Sequence, residues 1–225
     1  MNNKELYIWH HTGLGDHYIC GGLVRHFASL YDKIILFYKN PNKANVKYLY
    51  KDLDNIEFKD AGVHEDHLAK GFILLNPFAN LLQIGFNYLN NTKLDFDAAF
   101  YEQAGLPLEY KWSKFHLERD LAKEKHVFYN ILGLKTDEKY IFVHDHPKFE
   151  TKQIPDNIKI IKPDNMNVPI HDYLYTIEQA KEVHLMNSSL LCLTDAIQIK
   201  HDNLFYHEYI RNINMKLKLN WNIIR

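Results

Sequence analysis

The sequence predicts an α/β protein of two small halves, each built on a parallel sheet, facing one another across a cleft. Three observations lead there. Short apolar runs alternate with helix-period segments through the first hundred residues, a charged helical stretch interrupts them, and the alternation restarts in shorter form near residue 140. Strands separated by helices need crossovers and so lie parallel, and parallel sheets place ligands at the carboxyl ends of their strands.

The first strand spans 6–10 and turns through His11-Thr12-Gly13-Leu14-Gly15-Asp16 into a helix over 17–30. Strands at 34–38, 56–59 and 72–75 follow, with helices over 42–50 and 79–89. Residues 100–108, aromatic-rich and holding Gly105 and Pro107, read as irregular. The stretch 117–132 reads as a connector helix ending at Gly133 as its C-cap. Beyond it come strands at 140–144, 158–161 and 182–186, helices over 171–180 and 188–197, a short strand at 204–205 and a C-terminal helix near 207–214. There is no internal repeat and no low-complexity segment. The halves divide as 1–115 and 116–225, each of a size that can bury its own core.

A net charge of −1 gives no electrostatic reason to expect nucleic acid or an anionic membrane as a partner, so a small molecule or a protein is expected. The two cysteines, Cys20 and Cys192, sit in apolar helical segments where a thiol acts as a small hydrophobe, not as half of a disulfide. Residues 71–89 form the longest apolar stretch, but Asn76, Pro77, Asn80, Gln83 and Asn87 make it too polar to be an integral membrane segment. No basic, apolar and small-residue signal pattern stands ahead of the first strand, and a cytoplasmic location is expected.

Three constellations could carry chemistry. Gly13 and Gly15 open a turn of bare backbone N–H groups, but Tyr18 stands where the third glycine of a dinucleotide fingerprint would fall, so no such cofactor is indicated. Asp16 at its mouth either caps the next helix or acts as a base, since a loop that only held phosphate gains nothing from a carboxylate. Asn187-Ser188-Ser189, between an apolar strand and a helix, either caps that helix or binds a pyrophosphate with its hydroxyls and free N–H groups.

The third is His144-Asp145-His146-Pro147-Lys148, where a strand ends in polar residues and Lys148 adds a charge suited to a diphosphate. His144 and His146 lack a cysteine or a third ligand nearby, so no metal is expected, and His64 and His67 beside Glu65 and Asp66 read as solvated loop residues. Between the halves, Tyr101, Glu102, Gln103 and Tyr110 either meet a sugar face or pack a junction. A nucleophile elbow, a Walker A lysine and an H-E-x-x-H helix are all missing.

In their order along the chain, the Gly13-Leu14-Gly15-Asp16 turn, the strand ending in His144-Asp145 and the Asn187-Ser188-Ser189 element resemble glycosyltransferases of the GT-B fold, especially the bacterial heptosyltransferase type. The resemblance implies two Rossmann-like halves. The N-terminal one would bind a glycan or glycolipid acceptor through Gly13, Gly15, His17, Tyr101, Glu102 and Gln103. The C-terminal one would bind a nucleotide-sugar donor through His144, Asp145, Lys148, Asn187, Ser188 and Ser189. Asp16 would be the base and Lys148 the catalytic cation on the leaving diphosphate, with inversion at the anomeric carbon and no cofactor or metal besides the donor.

Asn187 stands where that family has Asp, Ser189 where it has Gly, the following His is missing, and 225 residues is short for the fold. The double serine is also similar to fucosyltransferase-like members, without their Arg-rich motif. Two other readings remain: a non-catalytic sugar- or nucleotide-binding module of the same fold, and a nucleotide-sugar epimerase. Asp16, His144, Asp145 and Lys148 together favour the enzyme, because a scaffold has no need of four polar groups at strand ends.

Overall fold

A computed structural model describes residues 4–64, 66–86, 93–146, 151–155, 157–164, 167–210 and 213–225. The chain divides into two compact units, Met1–Glu118 and Arg119–Arg225.

The first unit contains β1 (Glu5–Trp9), α1 (Leu14–Ile19), α2 (Gly21–Ala28), β2 (Lys33–Tyr38), α3 (Lys43–Leu49), β3 (Ile56–Asp60), α4 (His67–Leu75), β4 (Leu81–Gln83), α5 (Phe96–Gln103) and α6 (Tyr110–Ser113). Its four strands make one wholly parallel sheet in the order β3-β2-β1-β4. Strand β2 is buried over its last five residues, Ile34 to Tyr38, as a strand covered on both faces must be.

The helix expected over 17–30 is two helices that meet at Cys20. Gly21 and Gly22 open the second, and there the chain of α6 comes close. A Cβ at Gly22 would lie 1.8 Å from the Tyr110 carbonyl oxygen, and one at Gly21 would lie 2.8 Å from the Phe115 ring. Backbone cannot swing aside as a side chain can. Gly22→Ala is therefore expected to destabilise the protein by about 1–3 kcal/mol, and by more than Gly21→Ala, in parallel thermal unfolding of the two variants; equal midpoints for Gly22→Ala and the parent would contradict this packing.

Two elements exchange places relative to expectation. Residues 72–75 end α4 instead of forming a strand, and the strand is Leu81–Gln83, where a helix over 79–89 was expected; residues 87–89 lie outside the described residues. A four-residue apolar run fits one helical turn as well as a strand. Packing decides it: Phe72 and Ile73 lie against Trp9, Phe37, Ala61 and Ala69, while Leu74 and Leu75 face solvent. The stretch 100–108, expected to be irregular, begins inside α5 and turns at Gly105, whose φ of +68° suits a residue without Cβ.

The second unit contains α7 (Leu121–His126), which runs into a π turn (Val127–Ile131), then β5 (Tyr140–His144), β6 (Lys159–Ile161), α8 (Leu174–Gln179), β7 (Glu182–Met186), α9 (Ser189–Ala196), β8 (Leu204–His207) and β9 (Asn222–Ile224). Five parallel strands follow the order β6-β5-β7-β8-β9. Arg119, the first residue of this unit, forms ion pairs with Glu124 and Glu178 and so ties its own start to α7 and α8.

The C-terminal helix expected near 207–214 is not formed among the described residues. A single 3-10 turn, Glu208–Ile210, stands at its start, residues 211–212 lie outside the described residues, and 213–221 form no helix before β9. Buried Asp195 in α9 explains this: its carboxylate accepts the Lys218 and Leu219 N–H groups and the Trp221 indole N–H, at 2.9 to 3.1 Å. A carboxylate that takes two successive backbone N–H groups needs both on one side of the chain, and so fixes a non-helical bend there, at Leu219.

Both units are thus Rossmann-like α/β halves with parallel sheets. No helix among the described residues is long and apolar enough to cross a membrane.

Candidate functional site

In the first unit the chain leaves β1 through His10, His11 and Thr12 to Gly13, the N-cap of α1. Asp16 lies in the first turn. A Cβ at Gly13 would stand 2.7 Å from Asp16 Oδ2, so the carboxylate folds back against the Gly13 position. Gly15 and Asp16 are both half-buried.

His17 faces inward. Its ring meets that of His10 edge-on at a centroid separation of 4.5 Å, both residues are fully buried, and neither His17 nitrogen has a hydrogen-bond partner among the described residues. Burial drives the His10 pKa down to about 4; burial, then neighbouring His10, holds His17 well below the ordinary histidine value. Both imidazoles are therefore neutral core groups.

Asp66 secures this turn from behind, although the sequence reads its segment as solvated. Its carboxylate accepts hydrogen bonds from Trp9 Nε1 at 3.1 Å and Thr12 Oγ1 at 2.9 Å, and Lys39 Nζ lies 3.1 Å away. Asn42 Nδ2 donates to the Thr12 carbonyl at 3.0 Å. Asp66 is buried with a φ of +54°, whereas His64 and His67 are exposed as expected. Nothing local to residues 64–67 announces this role, because the partners are 27 to 57 residues away in the chain.

Of the other acceptor-side candidates, Tyr101 is fully buried and donates its hydroxyl to the Ile19 carbonyl at 2.9 Å, so its ring has no open face for a sugar. Gln103 braces the end of β4, accepting from the Gly85 N–H at 2.7 Å and donating to the Gln83 carbonyl at 3.0 Å. Glu102 is exposed.

In the second unit the carboxyl ends of β5 and β7 come together. His144 Nδ1 lies 2.9 Å from Ser188 Oγ, and Ser188 is the N-cap of α9, accepting the Leu191 N–H. Burial lowers the His144 pKa, which leaves it neutral at pH 7. Asp145 accepts from Thr151 Oγ1 and Lys162 Nζ, each at 3.0 Å. Burial pushes its carboxyl upward, and the hydrogen bonds from Lys162 and Thr151 outweigh this and hold it below the usual carboxylate value. Ser189 begins α9. Asn187 is buried and donates to the Ile213 carbonyl at 3.3 Å.

Lys148 lies outside the described residues; the cation beside Asp145 is Lys162. Sequence reading also left His184 and His207 among scattered histidines. Here His184 Nδ1 and His207 Nε2 are 3.0 Å apart, and His207 reaches Tyr209 at the carboxyl edge of the sheet. The missed signal is a histidine within an apolar strand run, where burial makes a hydrogen-bond partner the usual outcome. Among the described residues no group of three or more His, Cys, Asp or Glu side chains is placed to hold a metal ion.

Two α/β units, each with a parallel sheet and polar residues at its strand carboxyl ends, define a class, proteins built of two Rossmann-like halves. Comparison with known proteins agrees at the level of fold. No protein-family model and no curated protein matches the sequence. Among solved structures, the chain superposes on the glycosyl transferase family 9 protein from Veillonella parvula DSM 2008 with a TM-score of 0.59, at 9% identity, covering 100% of this chain and 87% of that one. It also superposes on the bacterial iron-containing dodecameric glycosyltransferase TibC from enterotoxigenic E. coli H10407, with a TM-score of 0.54 at 13% identity, covering 88% of this chain and 57% of that one. The chain therefore has a GT-B-type fold similar to that of these glycosyltransferases.

Proposed function

We propose that the protein is an inverting glycosyltransferase that moves a sugar from a nucleotide-diphospho-sugar to a hydroxyl of a glycan or glycolipid. The observation that carries this reading is the Asp16 carboxylate folded over Gly13 at the end of β1, in a chain whose other unit sets His144 and Ser188 at the start of α9. Asp16 takes the acceptor proton as the acceptor oxygen bonds to the anomeric carbon; the bond to the diphosphate breaks, and its electron pair leaves with the nucleotide. Ser188, Ser189, the free N–H groups of α9 and Lys148 stabilise that departing charge without calling on a metal ion. Positioning and charge stabilisation supply the larger share of the rate, and the base adds about 10²- to 10⁴-fold.

A thermal-shift panel of UDP-, GDP-, ADP- and CMP-sugars tests the donor site. Occupancy at 100 times the dissociation constant adds about 2.7 kcal/mol of stability, and one nucleotide is expected to stand out. Asp16→Asn is then expected to cut turnover by about 10²- to 10⁴-fold with donor affinity retained, and unchanged turnover removes Asp16 from the reaction. Replacing Ser188 and Ser189 together by Ala is expected to weaken the selected nucleotide, and an unaltered dissociation constant returns both to capping.

One observation favours the second reading, a binding module without turnover. The Asn187 side chain, where the resembling family has a carboxylate, is directed to the Ile213 carbonyl and braces the segment that follows β8. Donor binding with neither transfer nor hydrolysis, in the presence of a range of acceptors, would decide for that reading.

A further inference from the structure

The second unit holds a chain of hydrogen bonds whose direction chemistry fixes. Glu182 Oε2 is 3.3 Å from His184 Nε2, His184 Nδ1 is 3.0 Å from His207 Nε2, His207 Nδ1 is 3.2 Å from the Tyr209 hydroxyl, and that hydroxyl accepts the Lys152 backbone N–H at 3.0 Å. An ionised carboxylate only accepts. His184 must then donate from Nε2, and a neutral imidazole that donates from Nε2 accepts at Nδ1. The same step repeats at His207, which accepts the Tyr209 hydroxyl proton at Nδ1. Tyr209 in turn is left with an oxygen for Lys152.

The surroundings hold each link in place. His184 and His207 are buried, which keeps them neutral, and Phe205 stacks flat on the His184 ring at 4.5 Å. Lys181 Nζ lies 3.5 Å from the other Glu182 oxygen. The chain starts at the amino end of β7 and finishes at the carboxyl end of β8, beside a segment in which Thr151 donates to Asp145.

We propose that Glu182 is a positioning residue: through the tautomers of His184 and His207 it orients Tyr209, which holds the Lys152 backbone and with it the Thr151–Asp145 contact of the donor side. Only the last link, to the donor, rests on the glycosyltransferase reading. The carboxylate acts over four residues without touching substrate, as outer partners do when they set the orientation of a ligating histidine.

The test uses the full chain and long-range ¹H–¹⁵N NMR of the imidazoles at pH 7, with exchange of the Lys152 amide and calorimetric titration of ADP, UDP, GDP and CDP. In the parent both histidines are expected as Nε2–H tautomers. Glu182→Leu is expected to mix the tautomers, to speed Lys152 exchange by about tenfold, the effect of one lost hydrogen bond, and to weaken the bound nucleotide to a similar degree. Glu182→Gln keeps a carbonyl acceptor and is expected to restore the tautomers. Tyr209→Phe should leave His184 as it was and release Lys152, which keeps the test open if the leucine variant does not fold. An Nδ1–H tautomer at either histidine in the parent, or Lys152 exchange unmoved by both Glu182→Leu and Tyr209→Phe, overturns the proposal, as does equal nucleotide affinity in parent and variants. If no nucleotide binds the parent, the donor reading fails, and the tautomers and Lys152 exchange decide the positioning role by themselves.

Discussion

Lys111→Met is expected to lower the free energy of unfolding by about 3–5 kcal/mol, because it leaves the Asp97 carboxylate in the core without its cation. Lys111 Nζ and Asp97 Oδ2 are 2.6 Å apart with both side chains fully buried, and the ammonium also stands 4.9 Å from the Trp112 ring centroid. Against a typical total of about 5–15 kcal/mol, this loss should drop the thermal midpoint by about 10 °C. The double change Lys111→Met with Asp97→Leu should recover most of it, since an apolar pair of similar size needs no desolvated charge. Urea unfolding of the parent, both single variants and the double variant closes the cycle. A single variant within about 0.5 kcal/mol of the parent would show that the pair holds nothing together. The pair matters to the site because it joins α5 and α6. These carry Tyr101, bonded to the Ile19 carbonyl at the end of α1, and the Tyr110 carbonyl that fits against Gly22.

Stability is expected to fall as the pH drops from about 6.5 to about 4, ahead of the carboxylate range. His10 and His207 have folded pKa values near 4, and His11, His17, His144 and His184 are also lowered, in each case by burial first. The native state then binds fewer protons than the unfolded chain, so these groups contribute fully above the unfolded value of 6.5 and lose their contribution on acidification. For the fully buried His10, a lowering from 6.5 to about 4 corresponds to about 3 kcal/mol. Depressed carboxylates such as Asp145 and Asp52 act lower, as the pH falls below their unfolded value of 3.8. Urea midpoints at pH 7, 6, 5 and 4.5 separate the two. A flat profile down to pH 4.5 would mean that the buried histidines are partnered in their charged form.

Much of the frame was legible because it is written locally. Strands β1, β2 and β5 carry continuous apolar runs, and Ser188 ahead of Leu190 and Leu191 announces a capped helix. What failed was written at a distance. The short run at 72–75 takes its state from Trp9 and Phe37, and β9, three residues long, exists because Asp195 holds the chain before it. At the candidate site the sequence singles out the turn with Asp16 and, as two separate motifs, His144 and Ser188; their contact comes from the fold. The inward turn of His17, the bracing by Asp66 and the Glu182 to Tyr209 chain could not, since each depends on groups brought together by the sheets.

Arg119 has a further consequence. It is the first residue of the second unit and closes its ion pairs with Glu124 and Glu178 inside that unit, while Lys111 and Asp97 close theirs inside the first. A join placed between Glu118 and Arg119 thus leaves each of these ion-pair sets whole within its own unit. An exchange of one half for a related one at that point would carry each of these electrostatic locks along complete.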